Sequence, residues 1–321
     1  MIEFISIFIL SCIVLAKSGQ WVVESLSNLA KILGWREFVV ATILMAFASS
    51  LPEFFVGITA SISGSPQLAV GNILGSNIIL LTLILGVGAI FAKKLDFGGK
   101  TLQKARFFAC FFTIFPLILM LDGSLSRLDG VILIISFLFY LKEIIKEQRR
   151  FSKVFDKITT KPPERIKLLF RELGIFFVSL FLLLLSAQGI VFASEKIALF
   201  SGLSLVVIGI LGVALGTSLP EIVFGISSIT SGHKEMLLGD TIGSVAVNSG
   251  LILGLSIIIA PFKIVHFSLY LNTILFSFLS AVCFLIFSIT KNKLTRKEGF
   301  VLLFIYLLFF IIEGLLEILR L

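Results

Sequence analysis

Apolar residues form long stretches along the chain, and each stretch ends at charged residues or at glycine and proline. A membrane-spanning helix needs about 20 consecutive, mostly apolar residues. The pattern predicts ten such spans, at residues 3–29, 37–62, 68–92, 104–122, 125–142, 169–193, 200–230, 236–260, 267–290 and 298–319. The fold class expected from this pattern is therefore an all-α membrane protein.

The composition agrees with this class. Hydrophobic residues make up 58% of the chain and the mean hydropathy is +1.12, which is far above the range of soluble domains. The longest polar stretch, residues 143–168, is charged and contains Pro162-Pro163, which is typical of a linker. Because Glu3 is the only early charge, we expect the N-terminus to begin the first span and not to be a cleaved signal peptide.

The net charge of +8 is unevenly distributed, since most basic residues fall in alternate loops. This bias follows the positive-inside rule and places both termini outside and the linker in the cytoplasm. We therefore expect a multi-pass protein of the cell inner (plasma) membrane in contact with the lipid bilayer, and no binding of nucleic acid. The basic residues of the predicted cytoplasmic loops are Lys17, Lys31, Arg36, Lys93, Lys94, Lys100, Lys104, Arg106, Lys234, Lys291, Lys293, Arg296, Lys297 and those from Lys142 to Arg171.

The two halves of the chain resemble each other when they are aligned at the constant offset that matches Ser50 with Ser218. We call this the repeat offset. The tetrapeptide Ser50-Leu51-Pro52-Glu53 recurs as Ser218-Leu219-Pro220-Glu221, and no gap is needed across the aligned region. The other matched positions are Ser18 with Ser186, Gln20 with Gln188, Gly34 with Gly202, Ala46 with Ala214, Gly57 with Gly225, Gly71 with Gly239, Gly75-Ser76 with Gly243-Ser244, and Leu85-Gly86 with Leu253-Gly254. Chance does not readily produce such a set.

The repeat offset predicts two repeats of five helices each. We divide the chain into a first repeat at 1–142, a cytoplasmic linker at 143–168 and a second repeat at 169–321. Because five is odd, the second repeat enters the membrane in the opposite orientation. Inverted repeats are the architecture of many secondary transporters, whose substrate sites lie near the midplane on interrupted helices.

The repeated tetrapeptide predicts such an interruption. Pro52 has no N–H to donate to the carbonyl of Ala48, and Pro220 has the same effect on Gly216. A freed carbonyl in hydrocarbon is tolerated only against protein or a water-filled cavity. Each of the glutamates Glu53 and Glu221 costs roughly 2.5–3.5 kcal/mol within the membrane on insertion scales. Two acids at equivalent positions are therefore poorly explained by packing alone.

The oxygens around these breaks favour a hard cation. Carbonyls, hydroxyls and two carboxylates give a site with a formal charge of up to −2, and calcium takes six to eight such ligands. A soft metal would need Cys or His. His233 and His266 fall in predicted loops, and Cys12, Cys110 and Cys283 have no metal-ligand spacing. The alternative, a glutamate paired with a basic residue, is disfavoured because none lies within a turn or two.

A second polar group lies on the third and eighth spans. Gly71 to Asn77 aligns with Gly239 to Val245. Ser244 and Asn248 are four residues apart and share a helix face. Asn72 and Asp240 are compatible with two roles, as residues of an ion path or as caps at the helix starts, and the sequence leaves both open.

These residues resemble the calcium/cation antiporter superfamily, and within it the prokaryotic sodium/calcium exchangers. The resemblance rests on two segments like the alpha-repeats of that family, from Ala46 to Asn77 and from Ala214 to Asn248. It covers nearly the whole chain. It implies that the second, third, seventh and eighth spans enclose a diamond of cation sites, while the first and sixth slide to alternate access.

The resemblance also implies individual roles. Glu53 and Glu221 would bind calcium centrally. Thr217 and the carbonyls of Ala46 and Ala214 would contribute to calcium or sodium sites. The implied residues of the flanking sodium sites are Ser49, Ser50, Ser218, Ser76 and Ser244, and Asn248 joins the predicted metal-binding set.

Three positions depart from the family pattern. Ser49 replaces a usual threonine and keeps the hydroxyl. Asn248 stands where the second repeat often carries aspartate, and Leu80 stands where the first usually carries asparagine. These changes leave the choice among Na⁺, Li⁺ and H⁺, and the stoichiometry, open.

The expected function is secondary active antiport of Ca²⁺ against monovalent cations, with Na⁺ favoured. The alternatives are a Ca²⁺/H⁺ antiporter of the same superfamily and, in another class, a cation channel, although no filter motif is evident. We expect neither an enzyme nor an organic cofactor, because no His lies in a span and no Ser–Lys or paired-Asp arrangement is evident. The oligomeric state stays open.

Overall fold

The computed structural model describes residues 1–33, 45–148, 162–230, 232 and 234–320. The start of the predicted span at 37–62, most of the predicted linker and His233 lie outside these described residues.

The described part of the first half is built from helices that alternate with short connections. Its helices are α1 (Ile2–Leu33), α2 (Met45–Ser49), α3 (Leu51–Ile62), α4 (Pro66–Ala92), α5 (Lys100–Leu119) and α6 (Arg127–Gln148). The second half repeats this order. Its helices are α7 (Pro162–Ser201), α8 (Leu205–Thr217), α9 (Leu219–Thr230), α10 (Lys234–Ile259), α11 (Ser268–Ile289) and α12 (Arg296–Arg320).

Seven helices of the described residues are long and apolar enough to cross a membrane. They are α1, α4, α5, α7, α10, α11 and α12. Helices α8 and α9 meet the same condition together and are bent by 40° at their junction. The predicted span at 125–142 corresponds to α6, which carries charges at both ends, and the described part of the span at 37–62 is the short pair α2 and α3. The chain is therefore a helical, multi-pass membrane protein.

Both predicted interruptions are present. The helical backbone leaves the α conformation at Ser50, with φ −81° and ψ 4°, and at Ser218, with φ −81° and ψ 3°. Each break lies two residues before a proline, where the missing N–H and the ring prevent a continuous helix. The half-helices α3 and α9 begin at the next residue.

The bounds of several elements recur at the repeat offset. Helix α3 begins at Leu51 and α9 at Leu219. A π-helical segment at Ile79–Ile84 interrupts α4, and another at Val247–Ile252 interrupts α10. These π segments were not predicted from the sequence.

The described residues include four short strands, also not predicted, that join the two halves. They are β1 (Lys94–Asp96), β2 (Ser124–Leu125), β3 (Phe262–Lys263) and β4 (Lys293–Thr295). Strand β1 pairs antiparallel with β4, and β2 pairs antiparallel with β3. Each strand of the first half therefore takes its partner from the second half.

The interior is formed by α4 and α10. Their most apolar windows are 83% and 78% buried, whereas those of α1 and α7 are 22% and 33% buried. Helices α1 and α7 pack along each other at the periphery. The breaks at Ser50 and Ser218 lie between this outer pair and the central helices, and both serines are fully buried.

Candidate cation-binding site

Three of the buried acidic side chains lie at the helix breaks or on the central helix α10. Glu53 is 0% exposed, and Glu221 and Asp240 are each 1% exposed. Glu53 is the third residue of α3 and Glu221 the third residue of α9. The first turn of a helix has free N–H groups and a positive dipole end, which favour an anion. The proline breaks therefore create local surroundings suited to carboxylates.

The first group of oxygens surrounds Glu53. The hydroxyls of Ser76 and Ser218 donate to Glu53 Oε1 at 3.5 and 3.4 Å. Ser76 Oγ lies 3.3 Å from Ser218 Oγ and 3.4 Å from Thr217 Oγ1. Thr217 also donates to the carbonyl of Ala214 at 3.2 Å. This group, the Glu53 cluster, combines α3 and α4 of the first half with the α8–α9 break of the second.

The second group surrounds Ser49, at the end of α2. Its hydroxyl donates to Asp240 Oδ1 at 2.9 Å and lies 3.1 Å from Ser244 Oγ. The carbonyl of Ala46 is 3.3 Å from Ser49 Oγ and 3.5 Å from Ser244 Oγ. This group, the Ser49 cluster, combines α2 of the first half with α10 of the second.

Several polar atoms at the site are buried with no hydrogen-bond partner among the described residues. They are Ser50 Oγ, Glu53 Oε2, both carboxylate oxygens of Glu221, and both amide atoms of Asn248. An unsatisfied buried polar group costs about 1–3 kcal/mol, more when charged. A cation bound by these oxygens, together with water that accepts from the amide nitrogen of Asn248, would account for their presence.

The two glutamates are within range of each other's charge, and neither forms an ion pair with a described basic side chain. The charge of Glu53 acts on Glu221. Lys94 and Asp96 form an ion pair at 3.1 Å on the surface, whereas Glu53 and Glu221 form none with the described residues. The alternative that a basic partner neutralises these acids is therefore wrong for the described residues.

The donor set consists of oxygen atoms. Across the described residues, no group of three or more His, Cys, Asp or Glu side chains converges on a single point. His266 lies in the loop between α10 and α11, and the cysteines have no disulfide partner. An ion held by both glutamates would therefore be completed by hydroxyl and carbonyl oxygens, which suits a hard cation.

Close helix packing brings the two halves of the site together. A Cβ on Gly71 of α4 would lie 2.4 Å from the carbonyl oxygen of Val206, and one on Gly209 of α8 would lie 2.7 Å from that of Leu68. Only glycine permits this approach. The contact sets the distance between the polar residues of α4 and those at the end of α8.

The structure brings most of the predicted site residues together. Eight of the eleven belong to the two clusters, and the other three, Ser50, Glu221 and Asn248, are buried without a hydrogen-bonded side chain among the described residues. Leu80, which departs from the family pattern, is 1% exposed and lies in the π segment of α4.

Asp240 and Asn72 do not cap helices. Each lies six residues beyond the first residue of its helix, which is Lys234 for α10 and Pro66 for α4. Asp240 accepts a hydrogen bond from Ser49, and Asn72 accepts one from Thr217 at 3.0 Å. A hydrogen bond from Asn77 Nδ2 to Ser249 Oγ, at 2.6 Å, joins α4 to α10 and was not predicted from the sequence.

Interrupted apolar helices around a shielded group of oxygen atoms are typical of membrane transporters of ions. The family model described as sodium/calcium exchanger protein matches residues 3–144 and 171–314. The chain therefore belongs to the sodium/calcium exchanger family of cation antiporters.

Individual proteins are similar to the chain over most of its length. The sodium/calcium exchanger MaX1 of Methanosarcina acetivorans is 31% identical, over 95% of this chain and 97% of that protein. An uncharacterized membrane protein of Methanocaldococcus jannaschii is 33% identical over 74% of this chain and 76% of that protein. Structures of the sodium-calcium exchanger NCX_Mj are 27% identical, with a TM-score of 0.66, and cover 96% of this chain and 97% of that one. The named exchangers are transporters, which supports a transporter and not an enzyme.

Proposed function

We propose that the chain extrudes Ca²⁺ in exchange for Na⁺ by alternating access. The observation that carries this proposal is the pair Glu53 and Glu221, two buried carboxylates at equivalent helix breaks, near each other and without a basic partner among the described residues. Two carboxylates neutralise one divalent ion, and the neighbouring hydroxyl and carbonyl oxygens supply further ligands.

The carboxylates and the flanking oxygens have different roles in this proposal. Glu53 and Glu221 bind Ca²⁺ at the centre. The Glu53 cluster and the Ser49 cluster bind Na⁺ on either side, with Ser50 and Asn248 contributing. The same carboxylates serve both ions, so Ca²⁺ and the full set of Na⁺ ions exclude each other.

Charge compensation would couple the two fluxes. A site with its carboxylates neutralised can be enclosed by apolar protein at little electrostatic cost. A site with uncompensated carboxylates carries a large desolvation penalty when it closes. This penalty suppresses the transition of the empty site, so that inward flow of Na⁺ drives outward flow of Ca²⁺.

We further propose an inverted arrangement of ten spans, with residues 1–142 and 169–321 as repeats and both termini outside the plasma membrane. The recurrence of element bounds at the repeat offset and the exchanged strand pairs support two equivalent halves. The positive-inside bias supports the cytoplasmic position of the linker.

Two counter-ions are compatible with a carboxylate site. Na⁺ is favoured because MaX1 is named a sodium/calcium exchanger, and because NCX_Mj was soaked with Na⁺ together with Ca²⁺ or Sr²⁺. H⁺ is the second candidate, since protonation would also neutralise the glutamates. Li⁺ is chemically similar to Na⁺ and could replace it.

Uptake of ⁴⁵Ca²⁺ into proteoliposomes tests the proposal. Sodium, lithium, potassium and proton gradients are imposed in turn, with the voltage clamped. We expect rapid uptake into sodium-loaded vesicles and loss of uptake, to the level of protein-free liposomes, in Glu53→Gln and Glu221→Gln. Glu235→Gln is the matched control, because Glu235 is an exposed acid on α10 and its replacement should leave uptake unchanged.

Other outcomes are informative. Uptake driven by a pH jump without sodium would identify proton exchange. Currents above carrier turnover would identify a channel. Near-normal transport in either glutamine variant would contradict the assignment of the glutamate pair.

A further inference from the structure

A groove opens on the surface of the fold between α5 and α6. Its volume is about 530 Å³, within the range of roughly 300–1,000 Å³ that is usual for small-molecule sites. Four of its six lining residues are phenylalanines, and Phe107 and Phe139 are 51% and 56% exposed. The lining residues of this α5–α6 groove are Phe107, Phe108, Phe111, Ile135, Ser136 and Phe139.

Aromatic contacts fix how the two helices lie beside each other. The ring centroid of Phe108 on α5 lies 5.2 Å from that of Tyr140 and 6.3 Å from that of Phe139, both on α6. The two helices run in opposite directions at this contact. Positions toward the start of α5 therefore lie beside positions toward the end of α6.

Lysines continue both walls of the groove toward that end. Lys104 and Lys100 precede Phe108 by four and eight residues, and Lys146 follows Phe139 by seven, so each lysine shares a helix face with the groove. At 1.5 Å per residue, Lys104 lies about 6 Å beyond Phe108 along the helix. All three lysines are exposed. The apolar groove thus ends at a basic mouth.

Arg106 on the same helix has a different role. It is buried and donates to the carbonyl of Ser288 at 2.7 Å and to Asn292 Oδ1 at 3.0 Å, which holds α5 against α11. The positive-inside bias accounts for basic residues at this end of the fold. It does not account for the spacing that places the exposed lysines in line with the aromatic walls.

The second half of the chain lacks this combination at the equivalent place. The repeat offset relates Phe108 to Phe276, which is only 4% exposed and has its ring 5.4 Å from that of Phe309 on α12. It relates the two lysines of α5 to Ser268 and Asn272, and the sequence of α11 contains no lysine or arginine. The groove with its basic mouth is therefore not a by-product of the internal repeat.

We propose that the α5–α6 groove binds an anionic phospholipid, with an acyl chain along the phenylalanines and the phosphate at Lys100, Lys104 and Lys146. Basic pockets between membrane helices on the cytoplasmic side recognise anionic head groups. A neutral lipid would gain nothing from the lysines, and a free phosphate would gain nothing from the groove. The proposed lipid is separate from the transported ions.

Native mass spectrometry of the purified protein in detergent tests the proposal. Phosphatidylglycerol is the probe, and phosphatidylcholine with the same acyl chains is the reference. We expect the wild type to bind phosphatidylglycerol about tenfold more tightly, because the lysines attract its phosphate and its net charge. Inorganic phosphate in large excess should not displace it.

Charge variants test the basic mouth. Lys104→Gln/Lys146→Gln removes one charge from each wall and should lose the preference for phosphatidylglycerol. Arg296→Gln/Lys297→Gln is the matched control. It removes two exposed charges from the start of α12, which the pairing of β1 with β4 places at the same end of the fold, and should keep the preference.

Groove variants test the apolar part without changing charge. Ser136→Trp places a large ring in the groove and should weaken phosphatidylglycerol binding about tenfold. Leu138→Trp is its control, because Leu138 is 57% exposed on α6 and does not line the groove. Melting temperatures in phosphatidylcholine show whether each variant is folded.

Three results would overturn the proposal. One is equal affinity of the wild type for the two lipids, or an unchanged preference in both Lys104→Gln/Lys146→Gln and Ser136→Trp. Another is displacement of the lipid by inorganic phosphate, which would indicate a site for free anions. The third is a dimer, seen by light scattering, that Ser136→Trp dissociates, because a second copy of the chain would then occupy the groove.

Discussion

Gly75 lies directly against the backbone of Ile210. A Cβ at position 75 would be 2.5 Å from the carbonyl oxygen of Ile210 and 2.7 Å from the Cβ of Ala214. The next residue, Ser76, reaches to 3.3 Å from the hydroxyl of Ser218. The contact between α4 and α8 therefore sets the separation of site hydroxyls that come from different halves of the chain.

Replacing Gly75 with alanine should damage both stability and binding. Overpacking of this kind costs about 1–3 kcal/mol, and here it pushes Ser76 away from Ser218. We expect a lower melting temperature in detergent and weaker calcium binding. Gly174→Ala is the matched control, because Gly174 lies within helix α7 and its Cβ would meet nothing within 4 Å. Equal effects of the two substitutions would show that the contact at Gly75 is unimportant.

Calcium should stabilise the folded protein by mass action. A ligand at 100 times its Kd contributes about 2.7 kcal/mol to the free energy of unfolding. We expect a higher melting temperature in Ca²⁺ than in a chelator, and a smaller effect of Mg²⁺, which needs stricter octahedral geometry. Glu53→Gln and Glu221→Gln should abolish the calcium effect. Equal stabilisation by Ca²⁺ in these variants and the wild type would place the ion elsewhere.

A carboxylate at position 248 should make the ion-free protein less stable. Both amide atoms of Asn248 are buried without a hydrogen-bond partner in the described chain, and an added acid within the membrane costs roughly 2.5–3.5 kcal/mol on insertion scales. We expect Asn248→Asp to melt earlier in a chelator and to recover with Ca²⁺ or Na⁺.

Leu80 is the position in the first half that is equivalent to Asn248, so a variant at Leu80 is the matched comparison for Asn248→Asp. Leu80→Asn adds an amide of similar size without adding charge, so we expect little recovery with calcium. A changed Hill slope for sodium in Leu80→Asn would indicate a monovalent site there. Identical melting behaviour of Asn248→Asp and Leu80→Asn would contradict the role of charge.

The proposed orientation can be tested by labelling with a membrane-impermeant maleimide. In a background with Cys12, Cys110 and Cys283 replaced by alanine, we introduce Ser126→Cys beside β2 or Gly98→Cys after β1, both at exposed positions. We expect Ser126→Cys to react in intact cells and Gly98→Cys to react only after permeabilisation. The reverse pattern would place both termini in the cytoplasm.

The helix breaks could be predicted because proline acts through local sterics. Pro52 and Pro220 interrupt their helices wherever the neighbours lie, and the structure places a break just before each. The repeated spacing likewise gave the correspondence between α3 and α9. Local chemistry and internal comparison therefore predicted the elements that carry Glu53 and Glu221.

The contacts between halves could not be predicted in the same way. Aspartate commonly caps helices, so the sequence does not distinguish Asp240 from a capping residue. Its contact with Ser49 depends on how α2 packs against α10. The repeat offset contained a usable signal, since it relates Asp240 to Asn72 and Ser49 to Thr217. The strands β1 to β4 gave none, because each has only two or three residues and its partner lies in the other half.

Because each short strand pairs with a strand of the other half, the two halves are joined as two subunits of a dimer would be. In a two-fold symmetric dimer, both subunits use the same surface for the interface, so that each contact between two residues occurs twice. The pairing of β1 with β4 and of β2 with β3 is an interface of this type within one chain. A polypeptide severed in the segment 143–168 should therefore re-form from two co-produced fragments, whereas either fragment alone would leave its strands without partners.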